Sequence, residues 1–290
     1  MGDAVRGALR VARGRVKRTA ILTAFPPEWD ALAHRVQDPE TLAINGTPLV
    51  LGILAGKPVA LMLSGISMVN AAMNTQALLE RHAISRIVFS GIAGGVDPAL
   101  RVGDVSVPER WGQNMEFAFA REIPGGYAPP VGIPGGTDLP GHGAWFPRDV
   151  LIGNATEAVA ERRWFPVDPG LLAIARGLDV PLERCLSDGH CLDHDPQLVV
   201  GGTGMSGSAF VDNAAYRDYL AATFGACVVD MESAAVAQVA WANCVPFLAF
   251  RSVSDLAGGD AGSNQMLTFM ALAAGNSAAM VTAFVDALPD

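Results

Sequence analysis

Positive charge is scarce in this chain: 20 Lys and Arg stand against 29 Asp and Glu, a formal charge of -9 over 290 residues. An acidic surface attracts phosphate backbones poorly. Neither zinc-finger spacing nor interleaved basic and aromatic residues occurs, so a nucleic-acid partner is disfavoured. No long apolar run follows the N-terminal basic residues, and no uninterrupted apolar segment reads as long enough to span a bilayer. A cytoplasmic protein without membrane contact is the expectation. Cysteine is sparse too, and four residues impose no disulfide framework on a chain of this size. No internal repeat is convincing.

What is present is apolar. Half of the residues belong to the hydrophobic set and 32 are Gly, enough for one large core or two small ones. Ala-rich segments and apolar strands separated by helical patterns favour an α/β chain. The one basic concentration, VRGALRVARGRVKR from Val5 to Arg18, is broken by Gly. It reads as a flexible, solvated extension over residues 1–17, with a partner or membrane contact as the alternative.

RTAILTAF reads as a buried strand, after which Pro26 and Pro27 force a turn before EWDALAHRV enters a helix. PVALMLSG is a second strand, leading into a helix over Ser67 to His82 with small and apolar residues at helical spacing. RIVFSG is a third strand, and GIAGGV after it reads as a flexible small-residue turn before the short strand DVSVP. A ligand could approach the backbone closely at Ala93, Gly94 and Gly95; a tight crossover turn is the structural alternative.

Residues 111–195 are rich in Gly and Pro and read as a long surface excursion, a lid or an oligomer contact, with ATEAVAERR and GLLAIARGL as candidate helices. Within it, CLSDGHCLDHD gathers Cys185, His190, Cys191 and His194. A zinc site is conceivable there, against an unlinked rim segment or incidental polar residues, because the spacing matches no familiar finger. The chain then regains regularity in LVVGGTGMSGSAFVDN, CVVDMESAAVAQVAWANC and VPFLAFRSVSDLAGG, and closes on a helix around MLTFMALAAGNSAAMVTAFVDAL. The economical architecture is a single α/β domain over residues 18–290, a three-layer α/β/α sandwich with a central mixed sheet.

Glu28, Glu232 and Asp255 each fall near a strand exit, and in an open α/β sheet such exits converge on one crevice. Taken singly, each is more often a helix cap or an ion-pair partner. Taken together they suit a site: a buried Asp255, oriented by Ser254, as proton donor to a heteroaromatic leaving group; Glu28 as a water-holding base; Glu232 as acceptor from two sugar hydroxyls. Asp230, between Val229 and Met231, stays without an assigned role.

The ordered set ILTAFPPEWDAL, SGISMVNAAMNTQ, IVFSGIAGGVDPALRVGDVSVP, MSGSAF, VVDMES and FRSVSDLAG resembles the purine nucleoside phosphorylase and nucleosidase superfamily, most nearly its 5'-methylthioadenosine/S-adenosylhomocysteine nucleosidases. The resemblance covers about residues 18–108 and 198–285, and implies a nucleoside phosphorylase-like fold and hydrolysis of a purine nucleoside. It implies Glu28 as the water-activating residue, Asp255 as the acid that protonates adenine N7, and Ser254 as its neighbour. Glu232 would hold the ribose 2'- and 3'-hydroxyls, Met231 would lie against the sugar, and Phe210 would stack on the base. Ala93 and Gly94 would line the opposite wall, with Met266 near the 5' substituent.

No cofactor or metal is implied, and a homodimer is. Two other readings remain: a phosphate-dependent phosphorylase, and a nucleoside-binding protein without catalysis. Phe89 and Ile92 stand where related phosphorylases carry an Arg-x-Gly-Ser pattern, which favours water as the nucleophile.

Overall fold

The computed structural model describes residues 16–289 apart from 134, 135, 137 and 138, so nearly all of the basic extension lies outside the described residues. In chain order the sheet strands and helices are β1 (Arg18–Thr23), α1 (Pro26–Ala33), β2 (Gln37–Ile44), β3 (Thr47–Leu54), β4 (Lys57–Leu63), α2 (Met68–Arg81), β5 (Ile84–Gly95), β6 (Val105–Val107), β7 (Arg110–Gln113), β8 (Phe165–Pro166) and α3 (Pro169–Arg176). Then come β9 (Leu198–Val200), β10 (Thr203–Ser206), α4 (Ala214–Phe224), β11 (Ala226–Asp230), α5 (Ser233–Ala242), β12 (Phe247–Asp255) and α6 (Met266–Ala287).

The twelve strands form one sheet in the order β8-β7-β10-β11-β5-β1-β4-β3-β2, with β12 on β5 and β6, and β9 on β6. Pairing is parallel for β1 with β4 and β5 and for β5 with β12, but antiparallel for β11 with β5 and through β2, β3 and β4. The sheet is therefore mixed, as the sequence leads one to expect.

The layering follows from strand alternation, which sends successive side chains to opposite faces. On β12, Phe250 packs edge-on against Phe284 of α6 at 5.2 Å, while the next residue, Arg251, bonds Ser233 at the start of α5. Helices α6 and α5 therefore cover opposite faces, with α1 packed on α6 and α2 on α5. The core between them is continuous, from Ile21 and Leu22 on β1 through Val88 and Phe89 on β5 to Val281 and Phe284 on α6, all fully buried.

One irregularity of the sheet makes the crevice. Along one edge of β5 the pairing with β1 ends at Leu22 and Phe89, and the pairing with β11 begins only at Gly94. Between those points that edge has no strand beside it, and its backbone groups face the loops that leave β1 and β11.

Several sequence expectations are corrected. GIAGGV is not a turn: β5 continues through Gly95 because β12 accompanies it to Gly94 and β11 takes over on the other side. Pro26 and Pro27 do not precede α1 but form its first turn, where a fixed φ is suited and no N–H is needed. ATEAVAERR is not a helix. Residues 155–161 are exposed and offer no face to bury, and Ala160–Arg162 instead pairs with Val150–Ile152. The hairpin of β2 and β3, joined at Asn45-Gly46, goes unanticipated.

Residues 111–195 are only partly an excursion. They hold three two-stranded ribbons, while most of β7, β8 and α3 return to the body of the fold. The last helix also corrects the reading of apolar runs. By length and composition α6 could cross a membrane, since Ala, Gly and Ser dilute but do not break its apolar run. In the fold its Ala273, Ala278, Val281 and Phe284 are fully buried.

The Cys/His segment is not a metal centre: among the described residues no group of three or more His, Cys, Asp or Glu could hold an ion. Nor is it unlinked. Cys185 and Cys191 form a disulfide, a cross-link that persists in oxidising surroundings. His194 is held by the Val102 carbonyl at 2.9 Å and by Asp193, and His190 lies beside Asp188.

Candidate active site

A cleft with mostly apolar walls and a few carboxyl groups opens over the unpaired edge of β5, the mix expected of a small-molecule site. Glu28, Ala93, Gly94, Phe210, Met231, Glu232, Ser254, Asp255 and Met266 all line it, so every site residue expected from the sequence is brought to one place. Its floor is polar and its mouth apolar, with Phe25, Ile66, Phe210, Met231 and Met266 around the upper walls. Phe210 is 53% exposed, which leaves a ring face free at the entrance.

Glu28 sits in the first turn of α1, and both of its oxygens are tied to backbone. Oε2 accepts from Ala24 N–H at 2.6 Å and Oε1 from Ile92 N–H at 2.9 Å, the latter on the open edge of β5. Burial raises its pKa, and Arg251 and the two N–H donors hold it back only in part. Glu232 is the residue from which α5 starts. Its Oε1 accepts from Ser67 N–H at 2.8 Å, and its Oε2 lies 3.5 Å from Arg251 Nη2. Burial again raises the pKa, opposed by Arg251 and reinforced by the neighbouring Asp230 charge.

Arg251 is the residue of this site that the sequence reading does not single out. Fully buried, it lies 2.8 Å from Asp230 Oδ2, 3.6 Å from Glu28 Oε1 and 3.5 Å from Glu232 Oε2, and its guanidinium stands 4.0 Å over the Phe89 ring. The signal was in FLAFRSVS: one Arg inside an otherwise apolar strand must find partners for a charge that burial would otherwise penalise heavily. Gly91 is small for the same reason. A Cβ there would lie 2.0 Å from Arg251 Nη1 and 2.4 Å from Glu28 Oε1.

Asp230 acquires a structural role. Its Oδ1 accepts from the N–H groups of Glu232 and Ser233, each at 3.1 Å, and from Ser206 Oγ, while Ser206 Oγ takes the Ala234 N–H at 2.8 Å. These bonds satisfy the free donors at the start of α5 and fix the angle at which Glu232 enters the cleft. Three carboxyl groups thus surround one guanidinium, so the floor carries surplus negative charge once Asp230 and one of the glutamates are ionised.

Asp255 lies away from Arg251, at the end of β12. Oδ2 accepts from Ser254 Oγ at 2.8 Å; Oδ1 accepts from Ala257 N–H at 2.9 Å and from Asn264 Nδ2 at 3.2 Å. Burial raises its pKa against those three donors, with a smaller push from Asp260. Gly94 forms the wall beside it, where a Cβ would come within 3.2 Å of Asp255 Oδ1. The arrangement can therefore present a proton at one side of the cleft and stabilise positive charge above its floor.

Comparison with known proteins gives a consistent picture. A family model described as the phosphorylase superfamily matches residues 18–286. A 5'-methylthioadenosine/S-adenosylhomocysteine nucleosidase of Tolumonas auensis is 31% identical over 273 residues, covering 93% of this chain and 100% of that protein. One from Bacillus cereus is 30% identical over 245 residues, 83% of this chain and 87% of that protein. Among solved structures, the nucleosidase of the same name from Colwellia psychrerythraea in complex with adenine is 25% identical with a TM-score of 0.69, covering 94% of this chain and 96% of that one.

Proposed function

The chain belongs to the phosphorylase superfamily, and we propose that it hydrolyses the N-glycosidic bond of a purine nucleoside, a 5'-modified adenosine such as 5'-methylthioadenosine or S-adenosylhomocysteine, releasing the base. The observation that carries water rather than phosphate as nucleophile is the charge of the cleft. Glu28, Asp230, Glu232 and Asp255 line it, and no Lys or Arg does among the described residues. Arg251 beneath them is fully buried and already surrounded by carboxylates. A phosphate dianion would find carboxyl groups and no free cation there, whereas water needs only an acceptor.

In this mechanism the base lies between Phe210 and the wall at Ala93 and Gly94, with its N7 at Asp255. Asp255 delivers its proton to N7, Ser254 holding the carboxyl in orientation, and the glycosidic bond breaks toward a neutral leaving base. The sugar gains oxocarbenium character above a floor with surplus negative charge, which stabilises it by preorganised electrostatics. Water held by Glu28 adds to the anomeric carbon and gives up a proton to that carboxylate. Glu232 accepts from the ribose 2'- and 3'-hydroxyls, Met231 packs on the sugar, and Met266 meets the 5' substituent.

The deciding experiment incubates methylthioadenosine, adenosylhomocysteine and 5'-deoxyadenosine with the protein, with and without phosphate. Base release independent of phosphate, with free sugar as co-product, is the expected result. Release that requires phosphate and yields a sugar 1-phosphate would overturn the reading, and tight binding with no release would establish a binding protein instead.

Glu232→Gln tests the sugar contact. The amide presents one acceptor where the carboxylate presents two, so kcat/KM for the ribonucleoside should fall about 10- to 100-fold, the range of one or two charge-assisted bonds. The 2'-deoxy analogue should lose clearly less. Equal losses on both substrates would remove Glu232 from hydroxyl recognition.

We also propose a homodimer through the face of α2. Val69 and Met73 are exposed there, and Met68, Val69 and Ala72 line a second groove with Ala235 and Val239 of α5. Sedimentation equilibrium at the monomer mass would reject it.

A further inference from the structure

We propose that Ser277, on α6, is a positioning residue for the reaction: its hydroxyl bridges the β5–β12 ladder and so sets where the Gly91–Ile92 backbone meets Glu28 and Arg251. The proposal rests on the hydrolase reading above. Ser277 lies across the sheet from α5 and is fully buried. In a parallel pair with Gly91 beside Arg251, the Gly91 N–H is directed at the Phe250 carbonyl. Ser277 Oγ is bonded to both groups, accepting from Gly91 N–H at 3.0 Å and donating to Phe250 O at 3.1 Å, and lies 2.9 Å from Ser90 Oγ. A hydroxyl supplies one donor and two acceptor sites, and all three are used when Ser90 donates to it.

The place of this bridge gives it consequence. Gly91 is the residue whose absent Cβ leaves room for Arg251 Nη1 and Glu28 Oε1. The next peptide supplies Ile92 N–H to Glu28 Oε1 at 2.9 Å, and Ile92 O lies 3.4 Å from Arg251 Nη1. Four consecutive backbone positions here lack a strand on the cleft side. Their depth is therefore set from the other side, by β12 and by the hydroxyl joined to it. Without the hydroxyl, Gly91 N–H and Phe250 O keep only the ladder between them, and the Gly91–Ile92 peptide loses its side-chain tie to α6.

The test is a cycle between Ser277→Ala and Glu28→Gln, read as phosphate-independent base release from methylthioadenosine. S277A should lower kcat about 10-fold with KM changed less than about 2-fold, because misplacing a catalytic group costs rate before it costs binding. In the E28Q background the same substitution should cost less than about 2-fold, since the group it positions is already disabled. A role in stability alone predicts a lower Tm with wild-type kcat, or equal losses in both backgrounds, and either result overturns the assignment.

Should S277A fail to fold, Ser277→Thr and Ser277→Val repeat the comparison at matched volume. Thr should retain the rate that Val loses, and equal rates reject the hydroxyl's role. Failure of the hydrolase reading looks different. Wild-type protein would then release no base without phosphate, and the Ser277 assignment would fall with it.

Discussion

Asp255→Asn lowers kcat by about 10²- to 10⁴-fold, the span a positioned general acid contributes, or about 3 to 5 kcal/mol of barrier. The amide has no proton of suitable acidity to give N7. Its oxygen can still accept from Ala257 N–H and Asn264, and its NH₂ can donate to Ser254 Oγ, so the pocket keeps its shape. Substrate affinity should move far less than turnover. Single-turnover base release beside equilibrium binding of a non-hydrolysable analogue separates the two, and near-normal turnover in D255N would reject Asp255 as the donor.

The direction of the pKa shift adds two signatures. Burial raises Asp255 above its ordinary value, so the acid form survives to higher pH than a free carboxyl allows. Activity in the wild type should decline as pH rises through that raised pKa, and the decline should be missing from whatever activity D255N retains. Stability follows the same sign. A carboxyl with a raised folded-state pKa contributes most below its unfolded pKa, and the contribution is lost as pH rises through the folded one. D255N should therefore match or exceed the wild type in Tm at neutral pH, with the gain shrinking toward acid pH. Such an exchange of activity for stability is common where a charge is buried for chemistry.

How much of this was legible in the sequence differs by level. The nine expected lining residues share one cleft because they lie at or beyond the ends of β1, β5, β10, β11 and β12, and those ends meet at the open edge of β5. The β5 extension through GIAGG was not readable: small residues mark both a turn and a strand that must pack closely, and only partners from β11 and β12, distant in sequence, decide between them. The β2–β3 hairpin carried local signals in Asn45-Gly46, both with positive φ, and in the apolar run of β3, but β2 is largely exposed and escapes a search for buried runs. The disulfide depends on the approach of Cys185 to Cys191, which spacing alone does not settle.

Asp230 and Arg251 show the limit most sharply. An acid between Val229 and Met231, and an Arg inside an apolar strand, are each awkward when read alone. Each explains the other at 2.8 Å. Because Asp230 is occupied by the start of α5 and by Arg251, the free chemistry of the floor falls to Glu28 and Glu232, and a test of water activation belongs at Glu28.

Glu28→Gln should lower kcat about 10²- to 10⁴-fold, for two reasons that act together. The base that accepts the water's proton is lost, and one negative charge beneath the developing oxocarbenium disappears. The substitution also disturbs its own setting. Glu28 accepts from two backbone donors, Ala24 N–H and Ile92 N–H, and an amide can accept from only one through its oxygen. The other donor then faces NH₂, at a local cost of about 1 to 3 kcal/mol.

A drop in rate is accordingly insufficient alone, and the pH profile makes the assignment. Burial raises Glu28, so the wild-type rate should fall as pH drops through a range above that of a free carboxylate. Glu232 is raised as well, so the acid limb is a property of the pair and its midpoint is macroscopic. E28Q should abolish the share of that limb belonging to water activation, while Glu232→Gln should leave it in place and alter sugar selectivity instead. If E28Q keeps more than about a tenth of wild-type kcat and an unchanged acid limb, Glu28 serves only to tie α1 to β5, and the nucleophile must be oriented by the ribose and Glu232.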